Sequence, residues 1–426
     1  MLRKTIGALL VMAMSNNALL WAQTQVPVSL ETCYEQARQQ YPLLQQGALN
    51  EQALALRLEQ LQLQRMPQIA VQGQATFQSE AVKVPFAPPG GEPIELPLFG
   101  AKLYAEGLYS IYDGGLNKAS QNLEKSQHAV MQQTVEVDMY RLYDQVNKLY
   151  FGILLTRAQD SLLVKAAGTL EARQAAVGAA VKHGVALPSE ADRIAVEILR
   201  LQAQRTELNS RQRSLLATLN TLTRQNYTTA TLFEVPRQTP PDWTARLNRP
   251  EVQLFALQQQ QLLSQEPLIS ARRKPKVNAF LQAGLGYPNP LNFFDTQISP
   301  YALAGVQLKW PLWDWGLEKK EREWLSVKSQ IIDNQRQTFE HNLRVANSQY
   351  AEESTKLNEL VNNDKAIAAL QAQILQQISS QLDHGVATAA DYITQVNAEL
   401  QAQLNLRLHE LQLQQLIIDY QTSNGR

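Results

Sequence analysis

A single cysteine, Cys33, stands among the 426 residues, which excludes an intrachain disulfide framework. It lies in a helical pattern, with no histidine or other base set near it in a recognisable motif, so it is no candidate nucleophile. The five histidines, His128, His183, His341, His384 and His409, are too scattered for a metal site within one chain. Phosphate-binding glycine loops and nucleophilic triad patterns are absent as well. The sequence therefore nominates no catalytic, cofactor-binding or metal-ligating residue and does not read as an enzyme. Basic and acidic residues balance at 39 each, which argues against a nucleic-acid partner and against an anionic membrane surface. Beyond residue 22 there is no run of about 18 apolar residues, so no transmembrane helix is expected. Any crossing of a membrane must be made by strands.

Residues 1–22 read as a signal peptide. Arg3 and Lys4 form a positive start, Ile6 to Met14 is mostly apolar, and Leu20-Trp21-Ala22 offers a cleavage site before Gln23. No cysteine follows that cut, so a lipid-anchored N-terminus is not expected, and the mature chain is exported.

What remains says the same thing twice. Pro42 recurs as Pro250 and Pro67 as Pro275, 208 residues on. Tyr112-Asp113-Gly114-Gly115-Leu116 corresponds to Trp313-Asp314-Trp315-Gly316-Leu317 at an offset of 201, as His183-Gly184-Val185-Ala186 does to His384-Gly385-Val386-Ala387. In both copies 69 residues separate the Asp-x-Gly glycine from the His-Gly glycine, so a rigid element of fixed length is being preserved. The repeats are 23–222 and 250–426. Residues 223–249, with Pro236, Pro240 and Pro241, link them and are expected to wrap the outside of the helices.

Each repeat holds a hairpin whose strands alternate, over 68–111 and 276–310. In the first, Ile69, Val71, Ala75 and Phe77 oppose Gln68, Gln72, Gln74 and Thr76, while Leu103, Ala105 and Tyr109 oppose Lys102, Glu106 and Ser110. In the second, Val277, Ala279, Leu281 and Leu285 oppose Lys276, Asn278 and Gln282, while Ala304, Val306 and Leu308 oppose Gln307 and Lys309. Strands of about 10 residues suffice to cross a bilayer when tilted. A soluble pair of half-buried hairpins has the same alternation. Four strands cannot close a barrel, and a lipid-exposed sheet edge leaves backbone groups without partners. Other chains must complete the sheet, and three copies make 12 strands. The loops 79–100 and 287–300 are proline-rich and differ in length, as outer-surface loops do.

The segments 116–183 and 317–384 predict helices of roughly 100 Å, far beyond the usual globular length. Val135, Met139, Leu142, Val146, Leu149 and Ile153 form one apolar seam, with Tyr143, Tyr150 and Leu154 beside it, so neighbours are expected on both sides. Return helices follow over 189–222 and 391–420. Shorter helices, about 30–65 and 244–273, precede the hairpins. Asp113, Gly115, Asp314 and Gly316 mark the strand-to-helix junctions, because aspartate caps helix starts and glycine permits the bend. Pro311 ends the fourth strand.

These residues resemble the TolC-type outer-membrane efflux proteins over essentially the whole mature chain. The carriers are Trp310-Pro311-Leu312-Trp313-Asp314-Trp315-Gly316, Asn248-Arg249-Pro250-Glu251 and the glycine-to-acid spacing at the helix tips. The resemblance implies an α+β membrane protein. Its trimeric 12-stranded outer-membrane β-barrel, four strands per chain, continues as a long α-helical periplasmic barrel. It implies a homotrimer in outer-membrane lipid that serves a periplasmic adaptor and an inner-membrane transporter as exit duct. In that family an acid six residues after the tip glycine lines the closed periplasmic end. Asp391 matches it, and Glu190 is its counterpart in the first copy. The second acid common in the family is Thr394 here, which puts a second acidic ring in doubt. Asp391 and Glu190 can equally complement the dipoles of the return helices. Gly184 and Gly385 suit the left-handed turn that ends a helix, and His183 and His384 suit capping or adaptor contact. The expected function is a passive conduit for small toxic compounds or polypeptides. A structural coiled coil with a barrel anchor and a self-contained diffusion porin are the alternatives.

Overall fold

The computed structural model describes residues 27–82, 96–243, 248–292 and 295–425. The leader assigned to 1–22 lies outside the described residues, as do 83–95 of the first hairpin loop. Eight helices and four strands follow in the order α1 (Leu30–Gln40), α2 (Leu43–Leu63), β1 (Gln68–Phe77), β2 (Phe99–Tyr112), α3 (Leu116–Lys182), α4 (Pro188–Thr223), α5 (Pro250–Leu263), α6 (Glu266–Arg273), β3 (Lys276–Tyr287), β4 (Ser299–Lys309), α7 (Leu317–Asp383) and α8 (Ala389–Asn424). They group into two compact units. Among the described residues, one takes in 42–82, 96–140, 248–292, 295–346 and 424–425, the other 27–41, 141–243 and 347–423. Among the described residues no helix is long and apolar enough to cross a membrane.

The strand-bearing unit contains one antiparallel sheet in the order β1-β2-β3-β4. The two hairpins are joined edge to edge, with Ala105 opposite Ala283 in the β2–β3 ladder. The free edges are thus β1 and β4, one from each repeat. Alternation sorts the side chains onto two unlike faces. Ile69, Val71, Phe77 and Val306 lie on one face at 81, 74, 78 and 67 % exposure, so in the single chain this apolar surface has no cover. The opposite face carries Gln72, Tyr104, Glu106 and Gln282, linked by hydrogen bonds. Tyr104 and Tyr301 flank Gly284 there and are buried.

The helices before the hairpins differ from the continuous 30–65 and 244–273 segments that periodicity predicts. Tyr41 is extended (φ −73°, ψ 127°) because Pro42 disfavours helical geometry in the residue before it, and this separates α1 from α2. In the second repeat α5 stops at Leu263, and α6 restarts with Pro267 in its first turn, where a missing N–H costs nothing. Leu262, Ile269 and Leu325 form the small apolar core of this unit.

The other unit is wholly helical apart from its linker. Leu142, Val146, Tyr150, Phe151, Ile153 and Leu154 of α3 pack against Leu30, Cys33 and Ala37 of α1, Leu216 and Leu219 of α4, and Ile418 of α8. Burial of each large aliphatic side chain contributes about 1.5–3 kcal/mol. The linker is pinned to this core. Phe233 pairs with Val28 and is buried, and the Tyr150 hydroxyl donates to the carbonyls of Val28 (2.8 Å) and Glu234 (2.6 Å). Cys33 is fully buried, and burial pushes its thiol up to about 12, so it is chemically silent. A second core joins Leu163, Leu170 and Val177 of α3 to Ile194, Ile198 and Leu201 of α4 and to Ala389, Tyr392 and Val396 of α8.

Candidate functional site

The features that point to function are the sheet faces, the strand-to-helix junctions and the helix tips.

Every charged residue of the four strands, Lys102, Glu106, Lys276 and Lys309, belongs to the face that carries Gln72 and Gln282, and the opposite face has none. Glu106 accepts hydrogen bonds from the side-chain amides of Gln72 (2.5 Å) and Gln282 (2.7 Å). Small residues shape this face. A Cβ on Gly284 would meet Tyr104 Cα at 2.5 Å, and one on Gly305 would meet the Phe280 ring at 2.7 Å. The sheet thus has one uncharged apolar face and one face of polar and charged side chains.

Both junctions use the same device. The Asp113 carboxylate accepts from the N–H of Gly115 (2.8 Å) and of Asn117 (2.7 Å), and that of Asp314 from Gly316 (3.0 Å) and Glu318 (3.2 Å). The bonds to Gly316 and Glu318 hold the Asp314 carboxyl below its ordinary range. Two successive residues are left-handed in each copy, Gly114 and Gly115 in the first, Trp315 (φ 57°) and Gly316 in the second. Trp315 is thus a bulky residue in a conformation that favours glycine, and its indole is 89 % exposed and edge-on to Trp313. Pro311 follows the last strand residues and contributes no N–H.

At the tips, α3 and α7 end in the same hydrogen-bonded reversal. Gly184 N–H reaches the Val181 carbonyl and Val185 N–H the Ala180 carbonyl, both at 3.0 Å; Gly385 and Val386 do the same to Leu382 and Gln381. Both glycines are left-handed, at φ 71° and 73°. His384 places its Nδ1 2.8 Å from the carbonyl oxygen of Ser380, whereas the His183 ring makes no such contact among the described residues. Arg173 of α3 holds the end of α7 through Asp383 and Ser379 and stacks 4.8 Å from the Tyr392 ring.

The acids nominated at this end are brought together, and both act on α8. Thr388 and Asp391 form a reciprocal cap. The Asp391 carboxylate accepts from the Thr388 N–H (2.9 Å) and hydroxyl (2.7 Å), and the Thr388 hydroxyl oxygen accepts from the Asp391 N–H (3.2 Å). These bonds hold the Asp391 carboxyl below its usual range in the single chain. Glu190 accepts from the N–H of Ala389 at 2.8 Å. Thr394, one turn further on, donates its hydroxyl to the Ala390 carbonyl of its own helix. Thr388 is the participant that the glycine-to-acid spacing alone does not bring out; the Thr-x-x-Asp pattern of a capping box is the signal that does. Arg173 has no such signal, because its partners lie 206 to 210 residues away. Among the described residues no three His, Cys, Asp or Glu side chains are grouped to hold a metal ion.

No protein-family model matches the chain, and no curated protein matches it in sequence. Solved structures do match its fold. The outer membrane protein VceC of Vibrio cholerae superposes with a TM-score of 0.66 over 93% of this chain and 96% of its own, at 15% identity. The CmeC outer membrane channel of Campylobacter jejuni gives 0.64, covering 93% and 85% at 14% identity. The open state of the Neisseria gonorrhoeae MtrE outer membrane channel gives 0.62, covering 93% and 88% at 14% identity. The chain therefore has the fold of outer-membrane channels.

Proposed function

We propose that three copies of this chain associate into an outer-membrane channel that serves as the passive exit duct of an efflux or secretion assembly in a Gram-negative bacterium. The observation that carries this reading is the open sheet. Its β1 and β4 edges are unpaired in the single chain, and its outer face is apolar, uncharged and exposed. In lipid such edges must be paired. Because β1 and β4 run antiparallel, each β4 can pair with the β1 of a neighbouring copy, and three copies close a 12-stranded barrel.

The helices support the same association. Leu49, Leu56 and Leu63 of α2 recur every seven residues and are exposed. So are Trp324, Val327 and Ile331 of α7, and further along that helix Ile367, Leu370 and Ile374, both triplets spaced i, i+3, i+7. Apolar stripes of this kind seek a neighbouring helix. In the trimer the helices form a periplasmic barrel, the helix tips with His183, Gly184, His384 and Gly385 meet a periplasmic adaptor, and an inner-membrane transporter supplies the energy. Three Asp391 carboxylates narrow the periplasmic aperture, with Glu190 behind them and Thr394 one turn inside. The chain has no chemistry of its own to perform; it keeps lipid and periplasm out of a path.

Purified protein in detergent should run as a trimer and give discrete conductance steps in planar bilayers. A compact monomer without conductance would overturn the reading. Asp391→Ala should raise single-channel current and weaken block by divalent cations. Unchanged values would remove the gate role and leave Asp391 as a helix cap. Sensitivity of a deletion strain to dyes, detergents and antibiotics reports the cargo, and loss of function without an adaptor separates a duct from a diffusion porin.

A further inference from the structure

The end of the sheet next to α6 and α7 holds two lysines that face each other without an anion. Lys276 opens β3, Lys309 closes β4, and the two are direct cross-strand partners. Like charges set opposite each other in a sheet are destabilising, so an uncompensated pair calls for an explanation. Among the described residues neither lysine makes a side-chain ion pair or hydrogen bond. Carboxylates are not scarce nearby, but they are engaged elsewhere. Glu318 bonds Arg273 and Arg322, Glu321 bonds Arg272, and Glu323 bonds Lys320. Glu106, the one acid of the strands, pairs with Gln282, six residue pairs along the sheet from this end, and is held by two glutamine amides.

Both lysines lie on the polar face, Lys309 exposed and Lys276 half-buried. The pair forms a local concentration of positive charge at the point where strands give way to helices. We infer that Lys276 and Lys309 form an anion-recognition site in the bore, which favours anions in passage and loosely engages carboxylate, sulfonate or phosphate groups on a solute. The inference rests on the trimeric channel reading, under which three copies make a ring of six lysines. Rings of basic side chains select anions in pores, and at physiological salt their influence extends about 8 Å from each charge. The strands contain three lysines and one glutamate, all on this face, so the charges of Lys102 and Glu106 cancel and the net strand charge is that of the Lys276–Lys309 pair.

The test is the reversal potential of single channels in a planar bilayer under a potassium chloride gradient, with chloride as the probe. In an Asp391→Ala background, which removes the acidic constriction proposed at the helix tips, the channel should show a chloride preference that depends on Lys276 and Lys309. Lys276→Gln with Lys309→Gln should lower the chloride-to-potassium permeability ratio by about twofold or more, and Lys276→Arg with Lys309→Arg should keep it. Removal of two like charges relieves repulsion, so the glutamine variant should still assemble, and Lys309→Gln alone gives a smaller shift in the same direction. Channels whose ion preference is the same in all variants would overturn the lysine assignment and leave the conduit intact. A wild type that forms no channels overturns the conduit reading and this inference with it.

Discussion

Glu190, in the first turn of α4, accepts its hydrogen bond not from its own helix but from the N–H of Ala389, the first residue of α8, at 2.8 Å. The repeat-equivalent of Thr388 is Leu187, which has no side-chain oxygen to cap α4. The first copy's acid is thereby free to serve the second copy's helix, and α8 starts with two acids where α4 has neither on its own N-cap. Two equivalent sequence positions thus perform unequal work.

From this follows the first prediction. Glu190→Ala and Thr388→Ala should each cost about 1 kcal/mol. The loss should show as faster amide exchange in the first turn of α8. Exchange in the first turn of α4 should stay the same in both variants.

Gly184 and Gly385 have nothing within 4 Å of the position a Cβ would take, so conformation alone decides their replacement. Alanine at either should cost roughly 1–2 kcal/mol, the penalty of the left-handed conformation. Gly114 combines φ 74° with a close approach to Ala271 O and Lys274 Cβ, both at 2.9 Å. Gly114→Ala should therefore lower the thermal midpoint more than Gly115→Ala, whose Cβ meets nothing within 4 Å.

In the sheet, Gly284→Ala would drive a methyl group into the β2 backbone at Leu103 and Tyr104, whereas the nearest neighbour of the methyl group in Gly305→Ala is the Phe280 ring, which can turn. We expect Gly284→Ala to abolish the folded oligomer on semi-native electrophoresis and Gly305→Ala to leave most of it. Equal band intensities for the two would contradict the register described here.

Asp419 supplies a pH dependence. Burial pushes its carboxyl up to about 6, against the hydrogen bonds it accepts from Asn147 (2.9 Å) and Gln415, with Asp144 adding repulsion. Its folded value exceeds the unfolded one, so its stabilisation is complete below about pH 4 and is lost as the pH rises through about 6. Asp419→Asn keeps an acceptor for Asn147 and removes the titration. Relative to wild type it should be more stable at pH 8 by roughly 2 kcal/mol, with the difference shrinking towards pH 5. Thermal midpoints measured across that range check the slope.

The long helices and alternating strands were legible because they depend on periodicity, which any stretch of chain carries within itself. The predicted 116–183 segment and the observed α3, Leu116–Lys182, differ by one residue because the Asp-x-Gly and His-Gly signals are local. The break between α1 and α2 was equally local, written in Pro42, and a periodic reading passes over it. The Thr388–Asp391 cap could be read from four consecutive residues. Its companion bond from Glu190 could not, since 199 residues lie between Glu190 and Ala389.

Sequence alone, then, was sufficient for whatever depends on neighbours along the chain: helices bounded by glycine and aspartate, and strands with one face free of charge. Folding in three dimensions settled which hairpin strands pair, that β1 and β4 are left as edges, that Lys276 faces Lys309, and that one repeat's acid caps the other's helix. The physical reason is range. Backbone torsions and side-chain periodicity act over a few residues, whereas pairing and capping across repeats arise only when packing brings distant segments within hydrogen-bonding distance.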